Sequence, residues 1–260
     1  MQHRIGIVLS GGGMRGAAHV GVLEALEKNG IRPDCIAGTS AGALVGALYG
    51  AGRSSSEMVE FFERTNPVRL SRLTFRKPGL VDIEKYRRVL SEYLPDDAFD
   101  ALRIQLFVTA TDMMRARLEI FNHGPLISPL LASSAIPIVF TPMKFDGRLF
   151  SDGGILNNFP IEPLKVLCDS ILGVYASPLR TPRDGELEST LSVSQRAFEV
   201  AMFLNSSPKF RECDMLLSPP ELSEYGVFTK QAKEVYEIGF RATIERMDAI
   251  VARLEAKEAL

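Results

Sequence analysis

Short apolar runs alternate along the chain with stretches whose apolar residues recur at helical spacing. Arg4 to Leu9 reads as a strand running into Gly11-Gly12-Gly13, and Met14 to Lys28 then sets Val20, Leu23 and Leu26 on one helical face before Asn29-Gly30. The order repeats at once, with Cys35 to Thr39 as a strand and Ala41 to Gly52 as a small-residue helix. Ser54-Ser55-Ser56-Glu57 then offers N-caps for a helix through Arg64. Two strand-helix units in succession predict a parallel sheet with helices packed on it. Further on, the pattern predicts a helix over Asp82 to Leu94, a buried strand over Ile104 to Thr111 paired with Leu118 to Phe121, and a helix from Pro125 to Ile136. Lys144 to Ser151 holds a turn at Asp146-Gly147, and Ile171 to Ala176 and Met215 to Leu217 read as strands. Lys230 to Ala256 reads as one long closing helix with a stripe of Val235, Ile238, Ile244, Met247, Val251 and Leu254. Residues 180–230, broken by Pro182, Pro208, Pro219 and Pro220, read equally as a lid or a packed connector.

No repeat, linker or low-complexity tract divides residues 1–260, and 46% hydrophobic content suffices for one domain with a substantial core. A net charge of -2 gives no reason to expect nucleic acid as a partner. Cys35, Cys168 and Cys213 lie far apart with no C-x-x-C, so the expectation is reduced, buried thiols and no metal. The apolar run before the first glycines is too short for a signal peptide or anchor, which predicts a cytoplasmic protein. Cys35 to Gly52 carries no charge, but Gly42, Gly46 and Gly50 recur every four residues, a face that lets a helix press closely on a sheet.

Ser40 sits in Gly38-Thr39-Ser40-Ala41-Gly42 between strand and helix, the layout of a nucleophile elbow. A serine needs a base, an orienting partner and an oxyanion site. The only histidines are His3, His19 and His123, and a triad in hydrolase order would take Asp112 and His123. His3 is expected in solvent and His19 on a helix beside the glycine loop. The competing base is Asp152 in Ser151-Asp152-Gly153-Gly154, where two glycines free the backbone to place a carboxylate at a tight turn. Gly11-Gly12-Gly13-Met14-Arg15-Gly16, between strand and helix, can aim backbone NH groups at developing negative charge, with Arg15 adding field or locking the loop. These residues also fit G-x-G-x-x-G. The acid that a dinucleotide site needs would be Asp34, which precedes its strand rather than ending it.

The GGGxRG loop, GTSAG, the ASSAIP block at Ala132 to Pro137, and DGG followed by Asn157-Asn158-Phe159-Pro160 occur in an order that resembles the patatin-like phospholipase family. The resemblance covers residues 5 to 160 and implies a three-layer α/β/α fold with a mostly parallel central sheet. It implies a Ser40–Asp152 dyad, an oxyanion loop of Gly11, Gly12 and Gly13 with Arg15, and hydrolysis of lipid acyl esters without metal or cofactor. A thioesterase or peptidase on the same dyad, or a lipid-sensing protein with little turnover, are the alternatives. For membrane contact the candidate patch is Arg69, Arg72, Arg76, Lys77, Lys85 and Arg87 with Leu70, Leu73 and Phe75 interleaved. Head group, acyl length and oligomeric state are not encoded in these motifs.

Overall fold

In the computed structural model, which describes residues 3–66 and 79–258, the opening run forms strand β1 (Ile5–Leu9) and leads through a 3₁₀ turn (Gly13–Gly16) into helix α1 (Ala17–Lys28). Then come β2 (Cys35–Thr39), α2 (Ala41–Gly50), α3 (Ser55–Arg64) and α4 (Lys85–Tyr93). Ser54 caps α3 through a reciprocal bond with Glu57. The middle of the chain supplies β3 (Gln105–Asp112), β4 (Arg117–Phe121), α5 (Ile127–Ser133), β5 (Met143–Phe145) and β6 (Arg148–Asp152). It closes with α6 (Leu164–Leu167), β7 (Ser170–Val174), α7 (Thr190–Ser206), β8 (Met215–Leu217), α8 (Ala232–Ile244) and α9 (Met247–Glu258).

One sheet runs β5-β6-β3-β2-β1-β7-β8, with β4 also on β3. The pairs among β3, β2, β1, β7 and β8 are parallel, whereas β4, β5 and β6 are antiparallel additions. Side chains along a strand alternate between faces, and here both faces are buried. Ile7, Leu9, Ile36, Leu106, Val108, Leu172 and Val174 join one core with α1, α2, α3 and α5. Val8, Cys35, Ala37, Phe107 and Ile171 join a second with Phe159, Leu164 and Tyr175, against which Phe203 and Phe210 pack. The result is the expected α/β architecture with a layer of helices on each side.

The glycine face of α2 presses on the sheet as its spacing predicts. A Cβ on Gly42 would collide with the Leu9 carbonyl oxygen, and one on Gly46 would lie 2.8 Å from Leu106 and 2.9 Å from Ile36. Among the described residues no helix is long and apolar enough to cross a membrane.

Three expectations are corrected, and the segment read as either lid or connector gains a helix. The closing helix is two, α8 and α9, because after Thr243 the chain tightens into a turn in which Arg246 N–H donates to Thr243 O. That break resets the helical phase, leaving Ile244 exposed and Ile250 in the core. Residues 180–230 hold a full helix, α7, capped by Ser189. Cys35 is buried, but Cys168 and Cys213 are only half-buried. His3 is half-buried too, with Nε2 2.9 Å from the Ser170 hydroxyl, because the chain entering β1 lies beside the start of β7.

Candidate active site

Ser40 follows β2 and caps α2 at φ 52 and ψ -120, a left-handed conformation that costs a non-glycine residue energy and persists where the surroundings impose it. The elbow closes because its flanking glycines admit contacts no side chain would. A Cβ on Gly38 would meet Ala43 N at 2.6 Å. The Ser40 N–H donates to the Ser133 hydroxyl at 2.7 Å, which ties the elbow to the last turn of α5.

Asp152 arrives at the elbow through the edge of β3. Val108 is flanked by Gly38 of β2 and Phe121 of β4, and Ala110 by Glu119 of β4 and Asp152 of β6. A strand has two edges, so β6 lies on the same edge as β2 and takes it over where β2 turns away at Ser40. Thr39 pairs with Thr109 and Asp152 with Ala110, the next residue. The Thr39 and Thr109 hydroxyls stand 2.6 Å apart, and Thr39 donates to Asn157 O at 2.8 Å, stitching the strand ends together. Ala135 O accepts from Asp152 N–H at 3.0 Å and from the Ser151 hydroxyl at 2.6 Å. The ASSAIP block therefore grips Ser40 with Ser133 and the DGG turn with Ala135.

The carboxyl of Asp152 is buried, accepts from Gly154 N–H at 2.7 Å and shares the wider of two cavities with Ser40. Burial pushes its pKa up to about 7, against the lowering effects of the Gly154 N–H and the nearby Ser40 hydroxyl. The motif reading requires a carboxylate that stays low enough to be ionised at neutral pH; instead desolvation leaves it near half-ionised there.

In the glycine loop the three NH groups differ. Gly11 N–H is engaged by the Asn158 side-chain oxygen at 3.1 Å, whereas those of Gly12 and Gly13 donate to nothing among the described residues. Gly13 has φ +58, and a Cβ there would lie 2.5 Å from Val227, whose carbonyl receives Met14 N–H at 2.8 Å. Arg15 is buried, donating to Gly12 O at 3.3 Å and to Ser177 Oγ at 3.1 Å, and it pairs with Glu199 of α7 at 3.2 Å. Burial lowers its pKa, opposed by the Glu199 charge.

Ser40 stands between two cavities. One, of about 70 Å³, is an apolar slot running between α3, α4 and α5 past Phe61, Phe62, Leu90 and Leu130. The other, of about 310 Å³, holds Asp152, Asn158, Arg15 and Glu199, with Phe198 and Met202 of α7 also on its wall. Gly13, Ile136, Val227 and Phe228 border both.

The other candidates lie elsewhere. His123 is exposed with Nδ1 on Asn122, and Asp112 is buried, accepting Met114 and Arg115 N–H at 3.0 Å each as it closes the β3–β4 turn. Neither borders a cavity containing Ser40. His19 is buried with Nε2 2.8 Å from Ser10 O, and burial lowers its pKa to about 4, so it is a neutral donor bracing the glycine loop. Asp34 binds Ile5 N–H at 2.8 Å at the start of β1, the sheet end away from Ser40. Of the basic patch, Arg69, Leu70, Arg72, Leu73, Phe75, Arg76 and Lys77 lie outside the described residues, and Arg87 is paired with Glu84 at 2.7 Å. Ser133, Asn158, Ser177, Glu199 and Val227 are the site contacts that had no assigned role in the sequence. Ser133 and Asn158 stand inside the quoted motifs, while the rest come from a motif-free part of the chain.

Residues 7–165 match the family model described as patatin-like phospholipase. An uncharacterized NTE family protein of Mycobacterium tuberculosis is 34% identical over 185 residues, which is 68% of this chain and 51% of that protein. Lysophospholipase NTE1 of Eremothecium gossypii is 31% identical over 189 residues, 69% of this chain and 12% of that one. The chain thus spans about half the length of the mycobacterial relative. Among solved structures, VipD from Legionella pneumophila superposes with a TM-score of 0.54 at 15% identity, over 96% of this chain and 67% of that one, a likeness of fold.

Proposed function

The chain belongs to the patatin-like phospholipase family, and from that premise we propose that it is a serine hydrolase of lipid acyl esters, of phospholipase A or lysophospholipase type, working through Ser40 and Asp152. The observation that carries the reading is a strained serine between two cavities, sharing the wider one with a buried carboxyl whose pKa is near 7.

In the forward step the Asp152 carboxylate takes the Ser40 proton as Oγ attacks the ester carbonyl carbon. The carbonyl oxygen gains the negative charge and is met by the free NH groups of Gly12 and Gly13, at the start of the 3₁₀ turn leading into α1. Asn158 holds Gly11 and so fixes the loop's path, while Arg15, anchored by Glu199 and Ser177, holds Gly12 by its carbonyl. The carboxylic acid then protonates the departing alkoxide and leaves an acyl serine. Water, deprotonated by the same carboxylate, attacks that ester, and Asp152 returns the proton to the departing Ser40 oxygen as the acid is freed. The apolar slot takes the acyl chain and the wider, partly charged cavity takes the rest of the substrate.

Ile138, 53% exposed and held at φ 73, projects an apolar side chain at the mouth of the wider cavity, which favours contact with a lipid surface there. Release of fatty acid from lysophospholipid vesicles by wild type but not by Ser40→Ala tests the activity. No release from any acyl ester would remove it.

A further inference from the structure

The two cavities at Ser40 are unequal, and the dyad fixes which half of an ester each one takes. Asp152 borders the wider cavity and not the slot. The acid that protonates the departing alkoxide must reach the alcohol oxygen, so the alcohol half lies in the wider cavity and the acyl half in the slot. The slot has a readable end. Leu44, one turn along α2 from Ser40, borders it, whereas Leu48, one turn further on the same face, does not. A helix rises about 1.5 Å per residue, so the slot stops within about 12 Å of Ser40, short of an extended palmitoyl chain. Phe62 stands at the near end, where a Cβ on Gly16, packed on Ala41, would lie 3.3 Å from Phe62 Cζ. Phe61 and Leu90 stand at the far end. Phe61 meets Tyr93 edge-on with ring centroids 5.4 Å apart, Leu90 precedes Tyr93 on the last turn of α4, and Arg53, past the end of α2, donates to Tyr93 O at 2.8 Å. Tyr93 itself does not border the slot. Phe61 and Leu90 are each 1% exposed, so the slot runs into the core rather than out to solvent.

We propose that the slot selects acyl chains of about six to eight carbons, hexanoyl to octanoyl, with Phe61 and Leu90 setting the limit. This rests on the acyl hydrolase reading above. A water-sized group, close to a methylene in volume, takes up about 10–15 Å³ of such a cavity, so about 70 Å³ admits about five to seven of them beyond the carbonyl carbon. The cavity on the alcohol side, at about 310 Å³, is several times larger, so the preferred substrates carry a short acyl group on a bulkier alcohol. A longer chain must displace buried side chains, and each surplus methylene in a filled apolar pocket costs about tenfold or more.

In the test, p-nitrophenyl butyrate, hexanoate, octanoate, decanoate, laurate and palmitate compete in pairs in detergent micelles at equal mole fraction, with wild type, Leu90→Ala and Leu90→Phe. The expected result is the highest kcat/KM at hexanoate or octanoate, at least about tenfold above palmitate, with the optimum moving about two to three carbons longer in Leu90→Ala and shorter in Leu90→Phe. Wild type that cleaves palmitate as well as octanoate overturns the proposal and leaves the hydrolase reading standing. An optimum that stays in place in both variants overturns it as well, since another wall would then set the length. Cleavage of none of the esters, with no fluorophosphonate adduct on Ser40, removes the hydrolase reading and this proposal together. If the Leu90 variants fold poorly, labelling of wild-type Ser40 by fluorophosphonates whose alkyl groups match these chains separates the same alternatives: a rate that peaks at hexyl or octyl supports the proposal, and one that keeps rising to hexadecyl contradicts it.

Discussion

Ser40 and Asp152 meet because a single strand, β3, changes its lateral partner between them, from β2 at Thr109 to β6 at Ala110. The distance between serine and carboxylate is thus set by the repeat of one strand rather than by a flexible loop. The contact is close enough that Gly153 fits only without a side chain. A Cβ there would collide with Thr109 Oγ1 and lie 2.6 Å from Thr109 O. Gly153→Ala is expected to lower stability by about 1–3 kcal/mol, and to cost activity beyond that by displacing Asp152. Urea denaturation alongside ester hydrolysis checks both. Thr109→Ala added to it should rescue only part of the loss, since the backbone oxygen remains in the way.

The pH dependence follows from the buried carboxyl. As the base, Asp152 works ionised, so kcat/KM should rise about tenfold per pH unit below about 7 and level off above it. Asp152→Asn should remove that limb along with most of the activity. An unchanged limb in the variant would assign the titration to another group.

The same shift is a cost to the fold. A carboxyl whose folded pKa is raised contributes stability that is fully present below its unfolded value near 4 and is lost as pH rises through about 7. Asp152→Asn, which keeps an oxygen for Gly154 N–H, should therefore match wild type in acid and be more stable by on the order of a few kcal/mol at pH 8. Melting temperatures of both proteins from pH 4 to 8 measure this, and parallel curves would argue that the group is not desolvated.

Arg15 and Glu199 form an ion pair with side-chain exposures of 5% and 14%, so breaking it strands a buried charge. Glu199→Gln should destabilise by about 3–5 kcal/mol and slow hydrolysis through the loosened glycine loop. Replacing both, as Arg15→Met with Glu199→Leu, should recover stability but not rate. That split between melting temperature and kcat separates a role in holding the loop from general support of the fold.

The parts of this site that are local in sequence could be read from it. The elbow around Ser40, the glycine loop and the Asp152 turn each announce themselves by glycines placed where a side chain would collide, and β1, β2 and β3 are short apolar runs with clear ends. What was illegible depends on contacts between distant segments. The helix α7 has a weak apolar pattern containing Ser192, Ser194 and Asn205, and its value to the site lies in Glu199 reaching Arg15. Asn158 is visible beside the DGG motif, but its hold on Gly11 exists only once β1 and the segment after β6 are adjacent. The break between α8 and α9 falls at Glu245 and Arg246, which carry no glycine or proline to mark it. The near-neutral pKa of Asp152 is a property of burial, which no motif states.

The central claim is that Ser40 is a nucleophile activated by Asp152, and intact-protein mass after exposure to a fluorophosphonate tests it most directly. The expected result is one adduct on the wild-type protein, none on Ser40→Ala, and labelling of Asp152→Asn slowed by a factor of about 100 or more. Equal labelling of wild type and Asp152→Asn, or an adduct that persists in Ser40→Ala, would contradict it.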